Sequence, residues 1–312
     1  MAKSVGLLFP GQGSQYVGMG KQLLEQFPVA RRIFQEASDV LGEDMTQLCL
    51  EGPEDRLRLT ANAQPAILSL SIAAYRVAVE ELGIAPACAA GHSLGEYSAL
   101  VASGAMSFSE AVLAVRKRGQ FMQEAVPQGQ GAMAAILGMD AQEVDRICAE
   151  EAGQEIVVAA NYNGPGQVVV SGHASAVERV GKAAKLRGAK KVVALPVSAP
   201  FHSPLLAPAG EKLREVLKGM NFRDPVFPVI SNVDAAPYPC ASAIVDILSR
   251  QVSHPVRWEE SMRLMASWAV EVAVELGPKK VLVGLLKRIA PQILPVQMED
   301  GEGLQELAKA LG

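Results

Sequence analysis

The chain has 312 residues, of which 49% are hydrophobic and 20% are charged, and its formal net charge is -4. This length is enough for one large domain that carries a smaller one. The small negative charge argues against nucleic acid or a membrane surface as a partner, and leaves small molecules or a small protein. The four cysteines lack the spacing of a metal or redox motif, so we expect reduced packing residues, no metal site and a cytoplasmic protein.

The first half of the chain alternates short β-rich runs with longer helical patterns. The N-terminal apolar run ends at Pro10 and is too short for a signal peptide, and no apolar stretch is long enough to span a bilayer. We expect strands over residues 5–9, just before Ser93, over 226–231 and over 270–276, and helices over 20–41, over 65–82, from Leu94 and from Phe108. Such alternation is typical of a parallel sheet covered on both faces. It predicts a large α/β-hydrolase-like domain formed by residues 1–127 and 198–312.

The middle of the chain has a different order of elements. We expect strands over 132–137, 156–160, 167–171 and 191–197, a helix over 140–150 that Asp140 caps, and a helix from Ser175 to about 187 that Ser175 caps. The order β-α-β-β-α-β is that of a ferredoxin-like domain. We therefore predict a small domain over residues 128–197, inserted into the large one.

A G-x-S-x-G pattern at residues 91–95 is the first chemical motif. This pattern places a serine on a sharp turn between a strand and a helix, with its hydroxyl exposed. Small residues before the turn suit a buried strand, and the helix that follows would direct its amide dipoles at Ser93. The motif predicts that Ser93 is a nucleophile.

A serine nucleophile needs a base, and the chain has four histidines. His92 adjoins Ser93, so its side chain should leave the turn in another direction. His173 falls on a loop of the small domain, and His254 precedes a proline that favours an extended or turn conformation. His202 lies in a loop with two prolines where the chain re-enters the large domain, and ligand clefts form at such junctions. We therefore favour His202 as the base.

An arginine interrupts the apolar face of the helix that begins at Phe108. Helical spacing places Arg118 in the same stripe as Val115 and Met122. The stem of Arg118 could pack along this stripe with its guanidinium in water, or the guanidinium could pair with a carboxylate of the chain itself. Alternatively, it is a buried cation that waits for the carboxylate of a ligand, which it can bind with two parallel hydrogen bonds.

Two glycine-rich segments can bring backbone close to a ligand. The loop with Gly11 and Gly13 follows the first strand and can aim backbone amides at a developing oxyanion. It is not a dinucleotide motif, because Tyr16 stands where glycine or alanine is needed, and no Walker lysine follows. The turn over 161–166, which contains Asn161 and Asn163, either lines the cleft or only joins two strands.

Taken together and in order, the motifs identify a family. The chain contains FPGQGSQ, QPA, GHSLGEYSALVASG, RKRGQFMQ, NYNGPGQVVVSG, APFHSPLL, SNVDA, RQVSHPVRW and ELGPKKVL. It closely resembles malonyl-CoA:acyl carrier protein transacylases along essentially its whole length.

This resemblance implies a role for each candidate residue. Ser93 would be the nucleophile and His202 its base and later its acid, with the backbone carbonyl of Gln251 orienting the imidazole. The substrate-binding positions would be Arg118 for the malonyl carboxylate, the backbone amides of Gln12 and Leu94 for the oxyanion, Phe201 beside the acyl group, and Asn161 and Asn163 in the cleft.

The resemblance also implies the reaction and the partners. Malonyl-CoA would acylate Ser93, and the phosphopantetheine thiol of an acyl carrier protein would take the malonyl group; we expect a monomer without a cofactor. Phe201 and Leu94 favour malonyl over methylmalonyl, the alternative substrate in related acyltransferases of polyketide synthases. A second alternative is a serine hydrolase such as a thioesterase, which needs an acid between serine and histidine, where the only aspartates are Asp140 and Asp145. A third is a non-catalytic module that docks a carrier protein.

Overall fold

A computed structural model describes residues 3–127, 129–197 and 199–312. Residues 128 and 198, at which two of the predicted domain segments begin, lie outside the described residues, so the domain limits stay a prediction. Within the described residues, no helix is both long enough and apolar enough to cross a membrane.

Nine strands and fourteen α-helices are found in the described parts of the chain. The strands are β1 (Val5–Phe9), β2 (Pro86–Gly91), β3 (Gly131–Leu137), β4 (Val157–Gly164), β5 (Gln167–His173), β6 (Lys191–Ala194), β7 (Val229–Ile230), β8 (Val272–Leu276) and β9 (Leu294–Met298). The helices are α1 (Lys21–Gln26), α2 (Pro28–Leu41), α3 (Met45–Glu51), α4 (Glu54–Arg58), α5 (Thr60–Leu82), α6 (Gly95–Ala102), α7 (Phe108–Glu124), α8 (Ala141–Glu151), α9 (Ala174–Leu186), α10 (Ala207–Lys218), α11 (Ile244–Gln251), α12 (Trp258–Ser267), α13 (Leu282–Ile289) and α14 (Gly301–Leu311).

Five strands form a parallel sheet in the order β7-β2-β1-β8-β9. Successive residues of the central strand β1 point to opposite faces, and all of them are buried. Leu7 and Phe9 pack in one apolar cluster with α2, α5 and α7, whereas Leu8 packs in a second cluster with α12 and α13. The sheet is therefore covered by helices on both faces, as the alternating pattern predicts.

The boundaries of several large-sheet elements differ from the predictions. The helix predicted over 20–41 is two helices, because Phe27 is extended and Pro28, which lacks an amide hydrogen, begins the second. Helix α5 begins at Thr60, before the predicted start at Pro65. The strand predicted over 226–231 is reduced to the two residues of β7.

The remaining four strands form an antiparallel sheet in the order β4-β5-β3-β6. With α8 and α9 packed against it, the sheet has the predicted ferredoxin-like arrangement. Asp140 caps α8 by accepting from the amide of Gln142. The predicted Ser175 cap is wrong, because α9 begins at Ala174 and the Ser175 hydroxyl donates to Glu155 instead.

The two sheets meet beside the loop that follows α11. Tyr162 donates its amide to the Val256 carbonyl at 2.9 Å, and the Val256 amide donates to the Ala160 carbonyl at 2.9 Å. These bonds hold the end of β4, including Asn161, next to the loop that carries His254. Side chains of the small sheet therefore lie beside the carboxyl end of the parallel sheet, where α/β folds place their ligands.

Candidate active site

Ser93 lies on the sharp turn between β2 and α6. Its φ of 52° is in the left-handed region, which side chains other than glycine rarely adopt. The flanking glycines permit the turn: a Cβ on Gly91 would overlap the backbone of Gly95, and a Cβ on Gly95 would overlap the Phe9 carbonyl. The strained turn lifts the Ser93 hydroxyl into a pocket.

The His202 imidazole contacts the Ser93 hydroxyl. The distance from Ser93 Oγ to His202 Nε2 is 2.7 Å. On the other side of the ring, Nδ1 lies 2.8 Å from the Gln251 carbonyl and 3.1 Å from the His254 carbonyl. Because carbonyl oxygens only accept, Nδ1 carries the hydrogen and Nε2 is free to accept the serine proton.

The imidazole is neutral before the reaction begins. His202 is 3% exposed, and burial, reinforced by the positive charge of Arg118, lowers its pKa to about 3. A neutral ring 2.7 Å from the serine oxygen is a competent general base.

Arg118 of α7 is buried beside the serine, with 1% of its surface exposed. Its Nη2 donates to Ser93 Oγ at 3.0 Å and to Gln251 Oε1 at 2.9 Å, and its Nη1 donates to Gln64 Oε1 at 3.0 Å. Its Nε has no partner, and within the described chain it forms no ion pair with a carboxylate. Of the three readings of Arg118, the structure agrees with a buried cation that lacks a carboxylate partner.

The pocket around these groups has a volume of about 450 Å³. It is lined by Met133 and Asn161 of the antiparallel sheet, and by loop and helix residues beside the parallel sheet, among them Gln12, Ser93, Arg118, Phe201 and His202. The backbone amides of Gln12 and Leu94 donate to no other described residue, so both are available to an oxyanion.

A family model described as an acyl transferase domain matches residues 7–302. The chain belongs to this acyl transferase family. It is 48% identical over 302 residues to the malonyl CoA-acyl carrier protein transacylase of Bacillus subtilis strain 168, which covers 96% of this chain and 95% of the relative.

Solved structures agree with this assignment. The malonyl CoA-acyl carrier protein transacylase of Coxiella burnetii matches with a TM-score of 0.98 and 42% identity, covering 100% of this chain and 98% of that one. A malonyl-transacylase in complex with a type II PKS acyl-carrier protein matches with a TM-score of 0.96 and 46% identity, covering 99% of each chain. The resemblance seen in the sequence motifs and the predicted α/β fold are thereby confirmed.

Two residues of the acyltransferase that were predicted to bind substrate, Asn163 and Leu94, are not among the residues that line the pocket. Asn163 does not line the pocket; its Oδ1 lies 2.8 Å from His92 Nε2. The Leu94 side chain is buried, with 1% exposed, and it does not line the pocket. Asn163 therefore supports His92, whose ring also packs 5.4 Å from the ring of Trp258.

The other histidines of the acyltransferase do not reach the serine hydroxyl. His173 ends β5, and its Nδ1 accepts from the Ile156 amide. The His254 ring is exposed, but its backbone carbonyl lies 3.1 Å from His202 Nδ1. Sequence reasoning missed this carbonyl, because a backbone group carries no mark in the sequence.

The two aspartates that a hydrolase could use as a triad acid, Asp140 and Asp145, have other hydrogen-bond partners. Asp140 caps α8, and Asp145 accepts a hydrogen bond from the Tyr162 hydroxyl at 2.8 Å. The place of a triad acid is occupied by the two backbone carbonyls at His202 Nδ1.

Sequence analysis also missed a buried polar network behind the active site. Its members are Gln64, Glu96, Asn232 and Tyr238, all of which are buried. The signal that could have found Glu96 is that it is the only charged residue of α6, all of whose residues are buried. Burial raises the pKa of Glu96 to about 7.

Proposed function

We propose that this acyltransferase moves the malonyl group of malonyl-CoA to the phosphopantetheine thiol of an acyl carrier protein, through a malonyl ester on Ser93. One observation carries the proposal: a buried guanidinium, with no carboxylate partner among the described residues, lies 3.0 Å from the nucleophilic oxygen. The choice of donor and acceptor is supported by two relatives, a malonyl CoA-acyl carrier protein transacylase and a malonyl-transacylase in complex with an acyl-carrier protein.

In the first half-reaction, Ser93 Oγ attacks the thioester carbonyl while His202 Nε2 takes its proton. The amides of Gln12 and Leu94 stabilise the oxyanion, and one such donor is worth about 3 to 4 kcal/mol in other enzymes. When the tetrahedral intermediate collapses, the bond to sulfur breaks and the imidazolium returns the proton to the CoA thiol. The Gln251 and His254 carbonyls stabilise the imidazolium through Nδ1.

In the second half-reaction, the carrier thiol attacks the malonyl ester. His202 takes the thiol proton and delivers it to Ser93 Oγ as the ester bond breaks, which regenerates the free enzyme. The two half-reactions use one set of groups in both directions, so the mechanism is ping-pong and needs no cofactor.

Arg118 selects the acyl group. A malonyl group presents a carboxylate at its far end, which the guanidinium can bind with charge-assisted hydrogen bonds. A fatty acyl chain would leave the buried cation without a carboxylate partner, at a cost of several kcal/mol relative to malonyl. Phe201, 9% exposed and lining the pocket, occupies space that the extra methyl of methylmalonyl would need.

The cysteines agree with a reducing compartment. Burial raises the pKa of the Cys49, Cys88 and Cys148 thiols to about 12, so these residues are unreactive packing groups. We further propose a cytoplasmic, monomeric enzyme.

Mass spectrometry of the intact protein tests the reaction. Brief incubation with malonyl-CoA and no acceptor should add one malonyl group to the Ser93 peptide, and addition of a carrier protein with its phosphopantetheine arm should remove it. Ser93→Ala should carry no adduct. Rapid release of free malonate without an acceptor would show a hydrolase, and intact malonyl-CoA without an adduct would show a docking module.

A further inference from the structure

The side-chain amide of Gln251 connects two buried charged residues. Its Oε1 accepts from Arg118 Nη2 at 2.9 Å, and its Nε2 donates to Glu96 Oε2 at 2.6 Å. All three side chains are buried, with exposures of 0% for Gln251, 1% for Arg118 and 0% for Glu96. The side chain thus has a contact of its own, distinct from the backbone carbonyl that Gln251 offers to His202.

The two neighbours fix the orientation of this amide. A guanidinium can only donate, and Glu96 Oε2, which also accepts from the backbone amide of Asn232, is an acceptor in either protonation state of the carboxyl group. If the amide turned over, its NH₂ group would face the donors of Arg118, and its oxygen would face the Glu96 carboxylate. Both bonds would be lost in the buried site, so only one orientation satisfies all three groups.

Glu96 is itself held firmly in place. It lies in the first turn of α6, three residues after Ser93, where a negative charge is favoured by the helix dipole. Its Oε2 also accepts from the backbone amide of Asn232 at 3.1 Å, and the Tyr238 hydroxyl donates to its Oε1. The carboxylate is therefore a fixed point on the same turn as the nucleophile.

We propose that Glu96 is a positioning residue which, through the Gln251 amide, holds Arg118 where it binds the acyl carboxylate, and so sets the preference for acyl groups that end in a carboxylate. This proposal rests on the proposed function. Glu96 touches neither substrate nor serine hydroxyl; it acts through Gln251. The other side-chain amide that accepts from Arg118 is that of Gln64. Among the described residues, the only hydrogen-bond acceptor for Gln64 Nε2 is the Met122 sulfur, at 3.8 Å.

The test uses Gln251→Met, which removes the side-chain amide but keeps the backbone carbonyl at His202. We would measure single-turnover acylation of Ser93 by malonyl-CoA and by acetyl-CoA in the full chain. The ratio of the malonyl rate to the acetyl rate should fall at least about tenfold. A merely structural role would lower both rates by the same factor. The control is Gln297→Met, a half-buried glutamine of β9 bonded to the Gly277 carbonyl, and it should leave the ratio unchanged.

Two Glu96 variants complete the test. Glu96→Gln should keep most of the malonyl preference, because its oxygen can still accept from Gln251 and Asn232 while its NH₂ group donates to the Tyr238 oxygen. Glu96→Leu should lose the preference as Gln251→Met does. The proposal is overturned if Gln251→Met keeps the preference, or if Glu96→Gln loses as much as Glu96→Leu. A wild-type protein that forms no malonyl ester would overturn the proposed function as well.

Discussion

Removal of the Arg118 guanidinium should turn a malonyl-selective enzyme into an unselective one. In Arg118→Ala, the malonyl carboxylate would enter a pocket that has lost its buried cation. Breaking a buried ion pair by removing one partner costs about 3 to 5 kcal/mol, so kcat/KM for malonyl-CoA should fall roughly 10²- to 10⁴-fold. Acetyl-CoA has no such carboxylate, so its kcat/KM should fall only because the hydrogen bond from Arg118 to Ser93 Oγ is lost. We expect a decrease of about tenfold.

The assay compares kcat/KM for malonyl-CoA and acetyl-CoA, with the acyl-Ser93 peptide identified by mass spectrometry. Arg116→Ala is the matched control, because Arg116 lies on the same helix but forms an ion pair with Glu43 at 3.2 Å and bonds to Asn62. It should change neither rate. Equal losses for both thioesters in Arg118→Ala would refute the carboxylate clamp and leave Arg118 with only a structural role at the serine.

Three further variants test the acyl pocket, the base and the turn. Phe201→Ala should raise acylation by methylmalonyl-CoA relative to malonyl-CoA by about tenfold, since one methylene in a pocket is worth about 1 to 3 kcal/mol. A competition experiment with both thioesters measures the ratio. An unchanged ratio would contradict the steric role of the ring. The folded-state pKa of His202 is lowered to about 3. Between about pH 6.5 and pH 3, the unfolded chain therefore binds a proton that the folded chain does not. In this range the free energy of unfolding should decrease by about 1.4 kcal/mol for each unit by which the pH is lowered. Urea unfolding at pH 7 and pH 5 measures this change. The free energy of unfolding should depend less on pH in His202→Asn than in the wild-type protein, but not in His254→Gln. Equal pH dependence in both variants would show that another group is responsible. Gly95→Ala should abolish acylation and lower the melting temperature, because the new Cβ would overlap the Phe9 carbonyl. The control is Gly284→Ala, in a helix with open space around it, which should stabilise the protein by about 0.5 to 1 kcal/mol. Normal acylation by Gly95→Ala would show that the turn tolerates a side chain.

The sequence alone determined the local features of the active site. The glycines at 91 and 95 are needed because backbone segments approach each other closely there, and that constraint is visible in a short motif. Helical spacing placed Arg118 on the buried face of α7. The alternating strands and helices predicted the parallel sheet, and the β-α-β-β-α-β order of the middle of the chain predicted the antiparallel one. Each of these features depends on residues that are close in the chain, so a local pattern can carry it.

The tertiary structure alone decided which buried groups meet. His202 lies 49 residues from the Gln251 carbonyl, and Glu96 lies 155 residues from the Gln251 amide. Periodicity shows that a side chain faces inward, but its partner depends on the strand order, which brings β2 and β7 together across the chain. The motifs suggested Asn163 as a substrate contact, yet the fold turned it toward His92. Hydrogen bonds between distant segments form only when the sheet is assembled, and no local pattern records them.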